Sequence, residues 1–128
     1  MAISKSVRVL VHEKYGKHCA YCGCILEYKK MQVDHLYPQF LAHHYKNDKK
    51  KDIDEFGNLM PSCAKCNNHK HSWRLEEWRR ELSLQVTRLL KTSTQFNKAL
   101  LFGQVIITES PIVFYFEILQ RNKEKECH

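Results

Sequence analysis

The sequence predicts an α+β chain in which short extended pieces and helices are gathered around cysteine ligands. Three observations carry that expectation. Four of the six cysteines fall into two C-x-x-C pairs, Cys19/Cys22 and Cys63/Cys66. Between the pairs, Met31–His35 and Asn58–Pro61 read as short extended segments. From Leu75 onward the apolar residues Leu75, Trp78, Leu82, Val86 and Leu89 recur at helical spacing.

The 128 residues, 43% of them apolar, suit one compact domain covering residues 1–128. The longest apolar runs, such as Ile112–Phe116, are too short to cross a bilayer. Met1–Lys5 lacks the uninterrupted apolar stretch of an export signal, so the expected setting is cytoplasmic, with no membrane partner. A formal charge of +7 favours a polyanionic partner, although a basic surface with no such partner fits the charge equally well.

Residues 4–14 can form a helix, with Val7, Leu10, Val11 and Lys14 making an apolar stripe with a basic edge, ended by Gly16. A knuckle follows at Cys19–Gly23. The polar stretch from Pro38 to Gly57 is long for a small domain, and such connections are usually functional or mobile. Thr94 is placed to cap a helix through Leu101 that stops at Gly103. Ile112, Phe114, Phe116 and Ile118 alternate with Val113, Tyr115 and Glu117, which is strand periodicity. With Gln104–Thr108 they predict a C-terminal strand or a hairpin about Glu109–Pro111. The core is expected at about residues 15–72, with a helical and β extension over 73–128.

A C-x-x-C turn presents two thiolates to one side of a tetrahedral ion, and two such turns complete its shell. Cys19, Cys22, Cys63 and Cys66 are therefore expected to bind a structural Zn²⁺. Two redox pairs, or cysteines buried as small apolar residues, are the competing readings. Cys24 competes as a ligand but breaks the spacing, and Cys127 reads as a free thiol near the end.

The stretch between the knuckles carries Asp34-His35-Leu36-Tyr37-Pro38 and then Gly57-Asn58-Leu59-Met60-Pro61. Neighbours at a strand end point to opposite faces, so one of Asp34 and His35 can ligate an ion while the other faces a substrate. Phosphodiester hydrolysis needs an activated water and charge neutralisation at the phosphate. A neutral histidine supplies the base, and a hard ion held by carboxylate and amide oxygens supplies the rest.

These motifs, D-H-x-x-P, G-N-L-x-P and C-x-x-C-N in that order between Cys19 and Lys70, resemble the HNH endonuclease family. The resemblance implies a ββα-metal core, a β-hairpin followed by a helix around one catalytic ion, here braced by a separate four-cysteine zinc site and flanked by helices. It implies metal-dependent DNA cleavage with Mg²⁺ or Mn²⁺. His35 would be the general base, Asp34 and Asn67 the ion's ligands, and Asn58 the residue that orients His35 or braces the metal loop. Where many members have histidine at the third motif position, this chain has Asn67; His69 is the rival ligand. Phe40–Tyr45 replaces the glycines often found after the first motif.

Lys46, Lys49, Lys50, Lys51 and Lys70 stand near the expected site and are candidate DNA contacts, though a lysine run is equally a solvated loop. His12, His18, His43 and His44 lack framing by other motif residues and are expected to face solvent. Trp73 and Trp78 read as helix packing, with Trp73 also able to stack on a base. The rival functions are a non-catalytic zinc ribbon that binds nucleic acid, an interaction module using the C-terminal strand, and a thiol oxidoreductase. One site cuts one strand, so double-strand cleavage requires a homodimer or two successive events.

Overall fold

A computed structural model describes residues 3–39 and 52–126 of the chain. Lys46, Lys49, Lys50, Lys51, His43, His44 and Cys127 lie outside the described residues. The chain divides into two compact units, one from residues 1–75 with 113–128, the other from Glu76–Ile112.

The first unit begins with α1 (Lys5–Glu13), whose Ser4 cap accepts from the Val7 amide at 3.3 Å. Val11 is buried on its inner face, and Arg8 and Lys14 are tied to backbone. Arg8 donates to the carbonyls of Tyr28 and Met31, and Lys14 to those of Phe56 and Leu59. His12, expected in solvent, is buried and bonded to the Leu26 carbonyl at 2.8 Å. The loop carrying Leu26 and Tyr28 covers it, and its ring meets that of Tyr28 edge-on at 5.6 Å.

Among the described residues, two strands form the sheet. β1 (Gln32–His35) pairs antiparallel with β2 (Leu59–Ser62), with Val33 opposite Pro61 and Asp34 opposite Met60. Every residue of β2 is buried. Asn58, expected in this extended piece, instead closes a 3₁₀ turn at Phe56–Asn58. Directly after β2 comes α2 (Ala64–Lys70), so the second cysteine pair straddles a helix start.

The C-terminal expectation fails. Residues 104–114 form no strand, and α6 (Tyr115–Glu126) is a helix. Alternation over a few residues also fits one helical turn beside an extended lead-in, and local capping decides the outcome. Phe114 donates its amide to the Glu117 carboxylate at 2.9 Å, while the Glu117 and Ile118 amides return to the Phe114 carbonyl. The amides of Tyr115 and Phe116 bond to the carbonyls of Tyr21 and Ala20, so the knuckle satisfies the first turn of α6. Phe114 and Phe116 are buried there, their ring planes within 5° of parallel. Gly23 is required at this contact: its φ is +81°, and a Cβ would lie 2.9 Å from the Tyr115 ring.

The second unit is helical: α3 (Leu75–Ser83, which starts at the unit boundary), α4 (Gln85–Thr92) and α5 (Thr94–Leu101). The apolar repeat from Leu75 to Leu89 is divided between two helices, because the chain breaks at Leu84 (φ −93°, ψ −2°). The Ser83 hydroxyl turns back to the Arg80 carbonyl at 2.6 Å, a local bond that competes with continuation. Glu76 pairs with Arg79 in a two-point contact of 2.9 and 3.1 Å. Ser93, not Thr94, caps α5, accepting from the Phe96 amide at 3.1 Å.

Candidate active site and four-cysteine centre

The chain reverses after α1 through Gly16 and Lys17, both at positive φ, and this delivers the first knuckle. The Cys19 amide donates to the Cys24 carbonyl and the Gly23 amide to that of Cys19, which closes the turn. Cys63, at the N-cap of α2, and Cys66, inside it, come from the other side. The four Sγ atoms lie within 4.8 Å of one another. Cys22 and Cys63 are 3.8 Å apart. That is too long for a disulfide, and about the ~3.8 Å sulfur separation of a tetrahedron built on ~2.3 Å zinc–sulfur bonds. The donor set thus fits zinc. Hydrogen bonding from the Cys66 thiol holds Cys19 down to about 4, so one thiolate is already favoured in the cluster. Cys24 is not one of the four; burial, and then the Cys22 thiol, push it up to about 12.

On β1 the strand alternation gives adjacent residues different surroundings. Asp34 turns inward and is buried. Its Oδ2 accepts from the Tyr21 hydroxyl at 2.5 Å and from Lys70 Nζ at 3.0 Å. Burial, and then the Asp34 charge, hold the Tyr21 phenol well above its ordinary range, so it stays a proton donor. His35 is nearer the surface, with Nε2 at 2.6 Å from Asp54 Oδ1. Although they differ in this way, Asp34 and His35 border one surface depression, shared with Pro38, Gln39, His71 and Ser72.

Residues 19–72 match the family model described as HNH endonuclease. This segment is similar to the HNH endonuclease family. Over 72 residues the chain is 33% identical to the CRISPR-associated endonuclease Cas9 of Actinomyces naeslundii, a match covering 56% of this chain and 6% of that protein. The crystal structure of the Type II-C Cas9 enzyme from Actinomyces naeslundii superimposes with a TM-score of 0.50 at 28% identity, covering 64% of this chain and 8% of that one. The chain therefore spans a small fraction of the length of these relatives.

Within the matched segment the expected site residues are not all placed as the motifs suggest. Asn58 is buried, and its amide braces the loop rather than the His35 ring. It accepts from the Tyr37 amide at 2.8 Å and donates to the carbonyls of Tyr37 and Ile53 at 3.2 and 2.8 Å. It thereby holds together the exit from β1 and the turn that carries Asp54. Asn67 donates to Gln32 Oε1 at 2.5 Å and lines an adjoining depression, which shares His71 and Ser72 with the first. His69 is exposed, lies edge-on to Trp73 and lines neither depression.

Lys70, expected on the DNA-facing surface, is fully buried. Besides Asp34 it donates to the His35 carbonyl at 3.0 Å, so its charge serves the interior. Tyr21, inside the first cysteine knuckle, donates its hydroxyl to Asp34.

Sequence reasoning missed three residues here. Tyr21 reads as an ordinary knuckle aromatic, and Asp54 is one of several acids in a polar stretch. His71 had one local signal, its place just beyond the end of α2, four residues after Asn67. It holds φ 49°, ψ −120°, a strained conformation for a residue with a Cβ, worth roughly 1–3 kcal/mol. Such strain is concentrated at functional sites.

Proposed function

We propose that this chain is a divalent-ion-dependent DNA endonuclease in which His35 is the general base and Asp34 an ion ligand. The observation that carries the reading is the pairing of a buried, clamped Asp34 with an Asp54-held His35 at one depression of an HNH-like segment. Asp54 accepts from His35 Nε2, which leaves Nδ1 as the nitrogen that takes the proton of the attacking water. When bound, Mg²⁺ or Mn²⁺ supplies charge neutralisation at the scissile phosphate and the leaving oxygen. Asp34, Asn67 and His71 surround the paired depressions and offer the oxygen and nitrogen donors for it. Asn58 keeps the loop beneath them in place. Zn²⁺ at Cys19, Cys22, Cys63 and Cys66 joins β1's lead-in to α2. Lys46, Lys49, Lys50 and Lys51 contact the phosphates flanking the cut.

Supercoiled plasmid incubated with the full chain and Mn²⁺ or Mg²⁺ tests this. Wild type nicks; His35→Ala loses about 10²–10⁴-fold in rate, the usual worth of a positioned base, while Mn²⁺ and DNA still bind. Asp34→Asn, which removes the charge and keeps the shape, loses Mn²⁺ affinity together with cleavage. Near-normal nicking by His35→Ala removes the base assignment. Wild-type protein that binds DNA but never cuts with either ion is a binding module instead.

A further inference from the structure

We propose that Tyr21 is a positioning residue for Asp34, and that through it the four-cysteine centre sets the geometry of the divalent-ion site. The proposal rests on the reading of Asp34 as an ion ligand.

Tyr21 stands inside the first knuckle, two residues after Cys19 and one before Cys22, and it is held from several sides. Its amide donates to Cys19 Sγ at 3.4 Å, and its carbonyl accepts from Tyr115 at 3.0 Å. The preceding Ala20 is bonded both ways, its amide to the Pro61 carbonyl and its carbonyl to the Phe116 amide, each at 2.8 Å. The Tyr21 ring lies edge-on to Phe114 at 5.7 Å and to Phe116 at 6.3 Å. A side chain fixed in this way moves only if the knuckle moves.

A buried tyrosine needs some acceptor for its hydroxyl, and a backbone carbonyl would serve. Here the acceptor is the buried carboxylate that borders the depression. With Lys70 on the same oxygen, Tyr21 occupies lone pairs of Oδ2 and so restrains the rotation of the carboxylate, leaving Oδ1 as the oxygen that would serve an ion. Groups that hold a metal ligand in this way typically affect affinity or activity by 10–100-fold. Loss of thiolate ligation would free the knuckle and release Asp34 without any change at Asp34 itself.

The test is Tyr21→Phe in the full chain, which keeps the ring packing and removes the hydroxyl. Zinc content is measured first, then Mn²⁺ binding by electron paramagnetic resonance without DNA, then nicking against Mn²⁺ concentration. The expected result is wild-type zinc content, Mn²⁺ affinity about 10-fold weaker, and nicking that recovers at saturating Mn²⁺. A merely structural tyrosine would lower thermal stability and leave the Mn²⁺ dependence where it was. Tyr21→Phe with wild-type Mn²⁺ affinity overturns the proposal. Asp34→Asn run beside it separates the two ideas: if that variant also binds Mn²⁺ normally, the ion-site reading fails with it. If Tyr21→Phe does not retain zinc, Phe114→Leu takes its place, because it keeps the hydroxyl and loosens one wall of the ring's slot. It too is expected to weaken Mn²⁺ binding, and unaltered binding overturns the proposal.

Discussion

The cysteine-bearing unit and the Glu76–Ile112 unit are both rich in apolar side chains, but they place them differently. In the first, Val11, Tyr21, Met31, Leu59, Met60, Phe114 and Phe116 are buried, and they enclose polar groups that are buried too: Asp34, Asn58, Ser62 and Lys70. In the second, Trp78 is buried, yet Val86, Leu89, Leu90, Leu101, Phe102 and Ile106 are exposed, Ile106 to 85%. Its order is local, made of a serine cap, the two Asn97 bonds to the Leu90 and Ser93 carbonyls, and ion pairs on the surface. Helical periodicity forecast α4, and cap and stop signals forecast α5, without saying what covers their apolar faces. The first unit shows the converse: weak local signals, and strong closure by ligands and buried hydrogen bonds.

The largest effect that should separate the units is loss of zinc. Structural zinc supplies an apparent ~10–16 kcal/mol in comparable small domains. Chelation, or Cys22→Ser, should therefore abolish amide-exchange protection in α1, β1, β2 and α2 while leaving α4 and α5 protected to the extent their local bonds allow. A folded, zinc-loaded Cys22→Ser protein, or simultaneous loss of protection in both units, would break the contrast.

Next in size is the buried ion pair. Removing one partner of such a pair leaves an uncompensated charge and costs about 3–5 kcal/mol. Lys70→Ala should fall in that range by denaturant titration, whereas Lys65→Ala, on the exposed side of the same helix, should change little. Equal effects of the two would return Lys70 to the role of a surface cation. The smallest effect belongs to the second unit: Ser93→Ala removes the cap of α5 and should cost about 1 kcal/mol. That loss should appear in local exchange at Thr94–Leu101 with nicking unchanged.

What could be read in the sequence follows the same division. The ligand spacing of Cys19, Cys22, Cys63 and Cys66 is short-range chemistry, and the structure brings those four together. β1 was legible because Met31 and Val33 alternate beside the Asp34-His35 motif. The final helix was not, because residues 112–118 alternate like a strand until Glu117 reaches back to the Phe114 amide. Lys70 was misassigned because a lysine in a basic chain looks like a phosphate contact; only the fold shows Asp34 waiting beside it. Tyr21, Asp54 and His71 share that difficulty, since each acquires its partner or its place across the tertiary structure.

Among the described residues the sheet is two strands wide, so β2 has a side that faces away from β1. At Pro61 on that side there is no amide hydrogen to offer, and the carbonyl is already taken by Ala20. An extended segment of another molecule arriving there would find neither donor nor acceptor at the middle of the strand. Open strand edges invite chain-to-chain pairing and aggregation, and proline is one of the residues that blocks them. The residue that closes the G-N-L-x-P motif thus also discourages polymerisation through the sheet.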